Sequence, residues 1–258
     1  MDLELAGRAV LVTGGTDGLG LALAERLAAE GASVAVCGRD ADRVRSAEAA
    51  LRAAGGDALA YRADVTSLAD LEAFVDAAVA RWGRIDGVVH NAGRASAGPI
   101  ESIEDATWDS DFQLKLMAAV RLTRLALPRL REARGAILFT LAIAAKAPGG
   151  SSEPSSVNRA AGMALMKALS KELAGDGVRA NAVLIGLIES GQWVRIAQGA
   201  GQPVEQFYER FARDASIPLG RFGRADEFAD LGCFLLSPRA SYLTGVAINL
   251  DGGLSPAV

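Results

Sequence analysis

The hydrophobic positions of this chain follow two periods that take turns. Short apolar runs lie at Val10–Thr13, Ser33–Cys37, Ala58–Ala63, Ile85–Val89, Ala136–Leu141, Val178–Ile185 and Gly245–Leu250. Runs of that length, bounded by Gly, Asp or Asn, predict buried strands. Between them apolar residues recur three and four apart. That spacing predicts helices ending near Glu30 and Ala54, and others over 68–82, 108–131, 156–173 and 226–236. The long helix is expected to end shortly after Pro128, because proline cannot donate to the preceding turn. Strand and helix alternate with no break in composition. The expected fold is α/β, a doubly wound parallel sheet of about seven strands with helices on both faces, spanning 1–258 as one domain. Residues 186–216 make a long connection with one helical piece at 204–213, and are expected to form a substrate loop.

The stretch with most chemical content is VLVTGGTDGLGL, Val10 to Leu21. A strand ends at Thr13, glycines follow at Gly14, Gly15, Gly18 and Gly20, and a helix begins. Glycine lets the backbone turn and approach a pyrophosphate, and the helix start offers free N–H groups to its charge. That order fits a dinucleotide-binding crossover, although the spacing Gly14-x3-Gly18-x-Gly20 is not the tighter G-x-G-x-x-G. At the end of the second strand a site selective for NAD needs a carboxylate for the ribose 2′-OH. This chain has Gly38 and Arg39 there, which leaves room and a guanidinium for a 2′-phosphate, so NADP(H) is favoured over NAD(H). Asp17, inside the glycine loop, opposes that preference.

Composition narrows the remaining choices. The formal charge is −4, from 27 basic and 31 acidic residues, and no basic block appears, so nucleic acid is not an expected partner. No apolar run approaches the roughly 18 residues of a membrane span, and the N-terminus lacks the shape of a signal peptide. Cys37 and Cys233 are far apart among apolar neighbours, which fits a reduced, cytoplasmic protein. His90 is the single histidine, and no ligand cluster surrounds it, so no metal is expected.

From Ala9 to Gly253 the chain resembles the short-chain dehydrogenase/reductase family. The resemblance rests on TGGTDGLG (Thr13 to Gly20), Asp64-Val65, Asn91-Ala92-Gly93, Asn181 and the ending Asp251-Gly252-Gly253. It implies a Rossmann-type domain and a homotetramer or homodimer built on the helices at 108–131 and 156–173. It also implies cofactor contacts from Gly14, Thr16, Asp17, Gly18, Leu19 and Gly20 in the loop, with Arg39 beside the 2′-phosphate. Asp64 would accept from the adenine amine, Val65 would flank the ring, and Asn91, Ala92 and Gly93 would border the ribose. Ile185-Gly186 stands where the family usually has Pro-Gly. Gly186, Ile188 and Ser190 fall at the nicotinamide end, Ser190 near the family's Thr.

The catalytic positions depart from the family. Its usual tetrad is Asn, Ser and Tyr-x-x-x-Lys, and this chain places Lys115, Ala142, Ser155 and Arg159 at those positions. No tyrosine lies between Tyr61 and Tyr208, so the phenol is missing in any register. A serine hydroxyl is a far poorer acid at neutral pH, and arginine does not release its proton. Lys115, in FQLKLM, is the new titratable group; a desolvated lysine can act as acid or base, while the plain alternative is a surface lysine. Arg159 would bind the ribose hydroxyls, or pair with Glu153 or Glu189. Ser155 would cap the following helix or take part in catalysis. Lys146 and Glu153 are candidate substrate contacts or solvated charges, and Trp193 closes over a substrate or anchors its loop.

Three functions remain open on the sequence. The first is an NADP(H)-dependent oxidoreductase acting on a small carbonyl or alcohol, with Lys115, Ser155 and Arg159 as its catalytic residues. Apolar residues Ile143, Leu187, Ile188 and Trp193 favour a hydrophobic substrate. The second is a non-redox enzyme performing elimination or isomerisation, with Lys115 as base. The third is a dinucleotide-binding protein without turnover. Fold alone does not choose among them.

Overall fold

In the computed structural model, which describes residues 1–258, the first half of the chain winds to one side. Strand β1 (Ala9–Thr13) leads through the glycine loop to helix α1 (Gly18–Ala29), then β2 (Ser33–Gly38), α2 (Ala41–Ala53), β3 (Ala58–Arg62) and α3 (Leu68–Trp82). The chain then crosses back to β4 (Gly87–His90), α4 (Asp105–Phe112), α5 (Ala118–Ala133), β5 (Ala136–Ala142), α6 (Ser155–Glu172) and β6 (Arg179–Ile185). Helices α7 (Gly191–Gly199), α8 (Val204–Asp214) and α9 (Ala225–Leu236) precede the last strand, β7 (Ala247–Leu250). All seven strands are parallel in one sheet of order β3-β2-β1-β4-β5-β6-β7. This is the doubly wound α/β arrangement that the alternating periods predict.

Alternation along each strand divides the core between two helical layers. Val10, Val12, Val34, Val36 and Val89 pack with Leu23 and Leu27 of α1 and Phe228 of α9. Leu11, Ala35, Val88, Ile137 and Phe139 face the other way, towards Phe74 of α3 and Leu122 and Leu130 of α5. Burying both faces explains why these strands read as continuous apolar runs. Each fully buried Val, Leu or Phe contributes about 1.5–3 kcal/mol. Local chemistry fixes the element starts: Asp40 and Ser67 cap α2 and α3 through their side chains, and Gly83 closes α3 in the left-handed region.

The long helix passes Pro128 and ends at Ala133, close to the expected end at 131, and Arg134 turns left-handed there at φ 49°. Proline forfeits one donor, yet Leu122, Ala126 and Leu130 are buried on either side of it, and their packing keeps the helix going. The 186–216 connection holds two helices, α7 and α8, where one was expected.

His90 ends β4 inside this core. Its Nε2 lies 2.8 Å from Thr123 Oγ1, its ring centroid is 4.6 Å from that of Phe139, and burial pushes its pKa down to about 3. A base whose proton affinity is lower folded than unfolded stabilises the fold above its unfolded pKa, near 6.5, and loses that contribution as pH falls towards 3. As this is the single histidine, the effect is separable. Between about pH 7 and 5 the wild type should lose about 2 kcal/mol through this group alone. Urea midpoints of wild type and His90→Gln at both pH values check this; parallel losses in the two proteins would refute it.

Candidate functional site

The sheet order reverses between β1 and β4, and a crevice opens there at the carboxyl ends of the strands. The chain ties the two strand ends together. Thr13 Oγ1 donates to Val89 O at 3.1 Å and accepts from the N–H groups of Asn91 and Ala92 at 3.0 and 3.2 Å. Asn91 Nδ2 donates back to the carbonyls of Thr13 and Gly14, each at 3.1 Å. The Nδ2 donors of Asn91 are therefore both spent on the glycine loop.

Close approach explains the glycines. A Cβ on Gly14 would lie 3.0 Å from Ala92 Cα, and one on Gly20 would run into Gly14 O and Asn91 Nδ2. Gly14 and Gly18 also hold positive φ, at 62° and 53°. Asp17 caps α1 by accepting from Gly18 N at 2.8 Å, and its other oxygen pairs with Arg43 at 3.0 Å and Arg195 at 3.7 Å. Two guanidiniums thus offset the charge that opposed an anionic ligand at this loop. No acidic residue sits in the first turn of α1, and Leu19 and Thr16 are half-buried beside it. The arrangement can cradle a diphosphate on bare backbone at a helix N-terminus.

Arg39 is exposed at the end of β2 and acts electrostatically on Asp64. Gly38 has a packing reason as well: a Cβ there would lie 2.5 Å from Thr16 Oγ1, so the room it leaves belongs to Thr16. Asp64 accepts the N–H and hydroxyl of Thr66 on Oδ1, at 2.9 and 2.8 Å, while Val65 is buried. Burial raises the Asp64 pKa, but the two Thr66 bonds and Arg39 outweigh it and hold the carboxyl below its ordinary value.

Beyond Gly93 lie Lys115, Ser155 and Arg159. Between α4 and α5 the backbone widens to a π-helical turn over Gln113–Met117, which carries Lys115. Lys115 is no surface residue: its side chain is 4% exposed. Its Nζ donates a very short bond to Ser155 Oγ and contacts Asp111 Oδ1 at 2.6 Å. Asp111, fully buried, accepts from Asn158 Nδ2 at 2.9 Å on its other oxygen. Burial lowers the Lys115 pKa; Asp111 opposes the shift, and Arg159 and Arg94 add to it.

Ser155 opens α6 without capping it, which corrects the capping expectation; its Oγ accepts from Lys115 and, at 3.2 Å, from Ser96 N. Arg159, one turn on, pairs with neither Glu153 nor Glu189 but donates to Thr140 O at 2.7 Å. Burial lowers its pKa, yet a guanidinium keeps its charge at neutral pH. A Cβ on Gly93 would lie 3.4 Å from Arg159 Nη2 and 4.0 Å from Lys115 Cε, so loop, lysine and arginine meet at one place.

Several expected contacts have other duties. Ile188 buries its side chain, and Gly186 is required because a Cβ would lie 2.6 Å from Asp251 Cβ. Ser190 precedes α7, its Cβ 3.8 Å from the position a Cβ on Gly18 would take. Lys146 is no substrate contact, since it donates to Ala247 O and Asn249 Oδ1 at 2.9 and 3.0 Å. Trp193 anchors its segment, with ring centroids 5.2 Å from Phe211 and 5.5 Å from Phe222, and does not close over the crevice. Asp111 and Asn158 were missed. The available signal was the i, i+4 spacing of Asp111 and Lys115 within an otherwise apolar helical face.

Comparison with known proteins agrees with this geometry. A profile of the family described as enoyl-(acyl carrier protein) reductase matches residues 14–255. The chain is 38% identical over 257 residues to a monensin polyketide synthase putative ketoacyl reductase of Streptomyces virginiae, covering 97% of this chain and 98% of that one. The NADPH-bound structure of a short chain oxidoreductase from Pseudomonas aeruginosa PAO1, containing an atypical catalytic center, superposes with a TM-score of 0.92. That protein is 37% identical, over 97% of this chain and 98% of its own. L-Sorbose reductase from Gluconobacter frateurii, complexed with NADPH and L-sorbose, superposes at 0.95 with 32% identity over all of both chains. The chain belongs to the short-chain dehydrogenase/reductase family and is an oxidoreductase of that family.

The aromatic packing of Trp193 makes a separate prediction. Trp193→Ala should cost the 191–214 segment about 3 kcal/mol, raising amide exchange in α7 and α8 about a hundredfold. Exchange in β1, β4 and β5 should stay unchanged, and unaltered exchange in α7 and α8 would show that the ring is no anchor.

Proposed function

We propose that this protein is an NADP(H)-dependent oxidoreductase that interconverts a small carbonyl compound and its alcohol through Lys115, Ser155 and Arg159. One observation carries the reading: the buried Lys115 ammonium donates to Ser155 Oγ beside Gly93, with Arg159 next to both. The fitted residues for the cofactor are the glycine loop, Arg39, Asp64, Val65, and the main chain of 91–93 and 186–190. When bound, the cofactor supplies or accepts the hydride. In the reducing direction Lys115 gives its proton to the carbonyl oxygen as negative charge develops there. Ser155 Oγ holds both partners in line, and Arg159 stabilises the developing charge. Lys115 then regains its proton from water.

The NADPH-bound relatives support the cofactor assignment. A ketoacyl reductase and a ketose reductase among the relatives favour a carbonyl substrate. Ile188 and Trp193 are spent on packing, so apolar character at the pocket comes from Ala92, Leu114 and Leu141 instead. No helix is long and apolar enough to cross a membrane, and both cysteines are buried free thiols whose pKa burial pushes up to about 12. These features are consistent with a cytoplasmic setting. The exposed Phe112 and Val157, on α4 and α6, support an oligomer built on those helices.

Two outcomes follow. Arg39→Ala should weaken NADPH binding about tenfold or more, the loss of one charge-assisted hydrogen bond, while leaving NADH unchanged in calorimetric titration. Equal affinity of the wild type for both cofactors would sink the assignment. Lys115→Met keeps the bulk of the stem and removes the charge. Turnover of NADPH over a panel of β-ketoacyl thioesters and ketoses should fall by roughly 10²–10⁴-fold. Reduction by the wild type needs the ammonium, so its rate should decline as pH rises through a pKa below the ordinary 10.5, and oxidation should rise across the same interval. Undiminished turnover in Lys115→Met would overturn the role of the lysine, and no turnover in the wild type on any panel member would leave a binding protein.

A further inference from the structure

We propose that Asp111 is a positioning residue that, braced by Asn158, fixes the Lys115 ammonium against Ser155 Oγ. The inference rests on the reading of Lys115 given above. The geometry forms one buried chain: Asn158 Nδ2 donates to Asp111 Oδ2 at 2.9 Å, Asp111 Oδ1 contacts Lys115 Nζ at 2.6 Å, and Nζ donates to Ser155 Oγ. Asp111 lies on the last turn of α4 and Asn158 on the first turn of α6. Lys115 itself sits on the π-helical turn between α4 and α5, while its charged end meets Asp111 and Ser155. That is how a flexible four-carbon stem can be held in one place.

Charge makes the carboxylate more than a tether. The groups acting on the Lys115 ammonium are Asp111 from α4, Arg94 from the segment after β4, and Arg159 from α6. His90, which also borders the pocket, is neutral above about pH 3. Of these only Asp111 is negative. Without it the buried ammonium would face two guanidiniums with no compensating charge. Asp111 therefore keeps Lys115 protonated and directed at Ser155, without touching the substrate itself.

A merely structural tie between α4 and α6 would not move the titration of Lys115, and this separates the two roles. The chain has four lysines, at 115, 146, 167 and 171. Protein made with lysine labelled at Cε with carbon-13 gives one resonance for each, and Lys115→Met assigns the relevant one. In Asp111→Asn the midpoint of Lys115 should fall by roughly one pH unit or more, a tenfold or greater loss of proton affinity. In Asp111→Glu, which keeps the charge, it should stay near the wild-type value. An unchanged midpoint in Asp111→Asn overturns the proposal.

If Asp111→Asn does not fold, thermal unfolding of Asp111→Asn combined with Lys115→Met decides. A folded double variant shows that the unpaired ammonium caused the failure and supports the pairing. An unfolded one, with Lys115→Met alone folded, makes Asp111 a structural tie and overturns it. Neither readout needs a substrate, so failure here is distinct from failure of the proposed reaction, which retained turnover in Lys115→Met would show.

Discussion

The strap between the ends of β1 and β4 is the constraint on which the whole crevice depends. Where the sheet order reverses, neighbouring chains leave the strand ends in opposite directions, and their polar backbone groups lose strand partners. Thr13 and Asn91 supply those partners: one hydroxyl serves a carbonyl and two N–H groups, and one amide serves two carbonyls. The strap draws Gly14 against Ala92 so closely that no Cβ fits. From that contact follow the start of α1, the bare-backbone loop, and the direction in which the Gly93 segment leaves. The glycine-loop side of the crevice is therefore built mainly by main-chain geometry, which side chains far away cannot easily disturb.

Across the crevice the balance is reversed, and side-chain charge dominates. Burying an ammonium costs several kcal/mol, and a pair repays that only with good geometry and satisfied remaining lone pairs. At the Lys115–Asp111 pair Asn158 and Ser155 take up the outward-facing atoms, while Asp111 Oδ1 meets the ammonium at 2.6 Å as a charge contact without an aligned hydrogen bond. Arg159 donates to Thr140 O and has no carboxylate of its own. Thr140 Oγ1, beside it, is buried without a partner. Such an arrangement is weak evidence for stability, because well-packed apolar groups would serve the fold at least as well. A set of buried charges converging beside an open crevice is better explained by chemistry.

Much of this was legible in the sequence, for reasons that differ by region. Unbroken runs such as VLVT and SVAVC announced strands buried on both faces, and the observed sheet agrees. Thr13, Gly14 and Gly20 were legible because a close backbone approach admits few residue types. The burial of Lys115 could be suspected from its apolar neighbours in FQLKLM. Its partner Asp111 was signalled by the i, i+4 spacing, but Asn158 was not, because it meets Asp111 only through the packing of α4 on α6. The end of α5 was legible to within two residues because Pro128 is a local signal, whereas burial is not one. Trp193 and Ile188 were ambiguous for the same reason. An apolar residue in a long connection looks alike whether it faces a ligand or, as here, the core.

The two halves of the crevice also differ in how they can change. A Cβ added at Gly20 collides with backbone, so nothing but glycine preserves the loop without a shift of β1 against β4. Lys115, Asp111, Asn158 and Ser155 are joined to one another through side-chain atoms, and the backbones of α5 and α6 are held by apolar packing of their own. Altering one of them leaves the helices in place but strands a charge or a polar atom, and the penalty disappears when its partner changes too. Compensated exchange within such a set is therefore open to a chain that keeps its fold. A glycine loop held by backbone contact beside a cluster of paired side chains is thus a scaffold whose two halves are free to change at different rates.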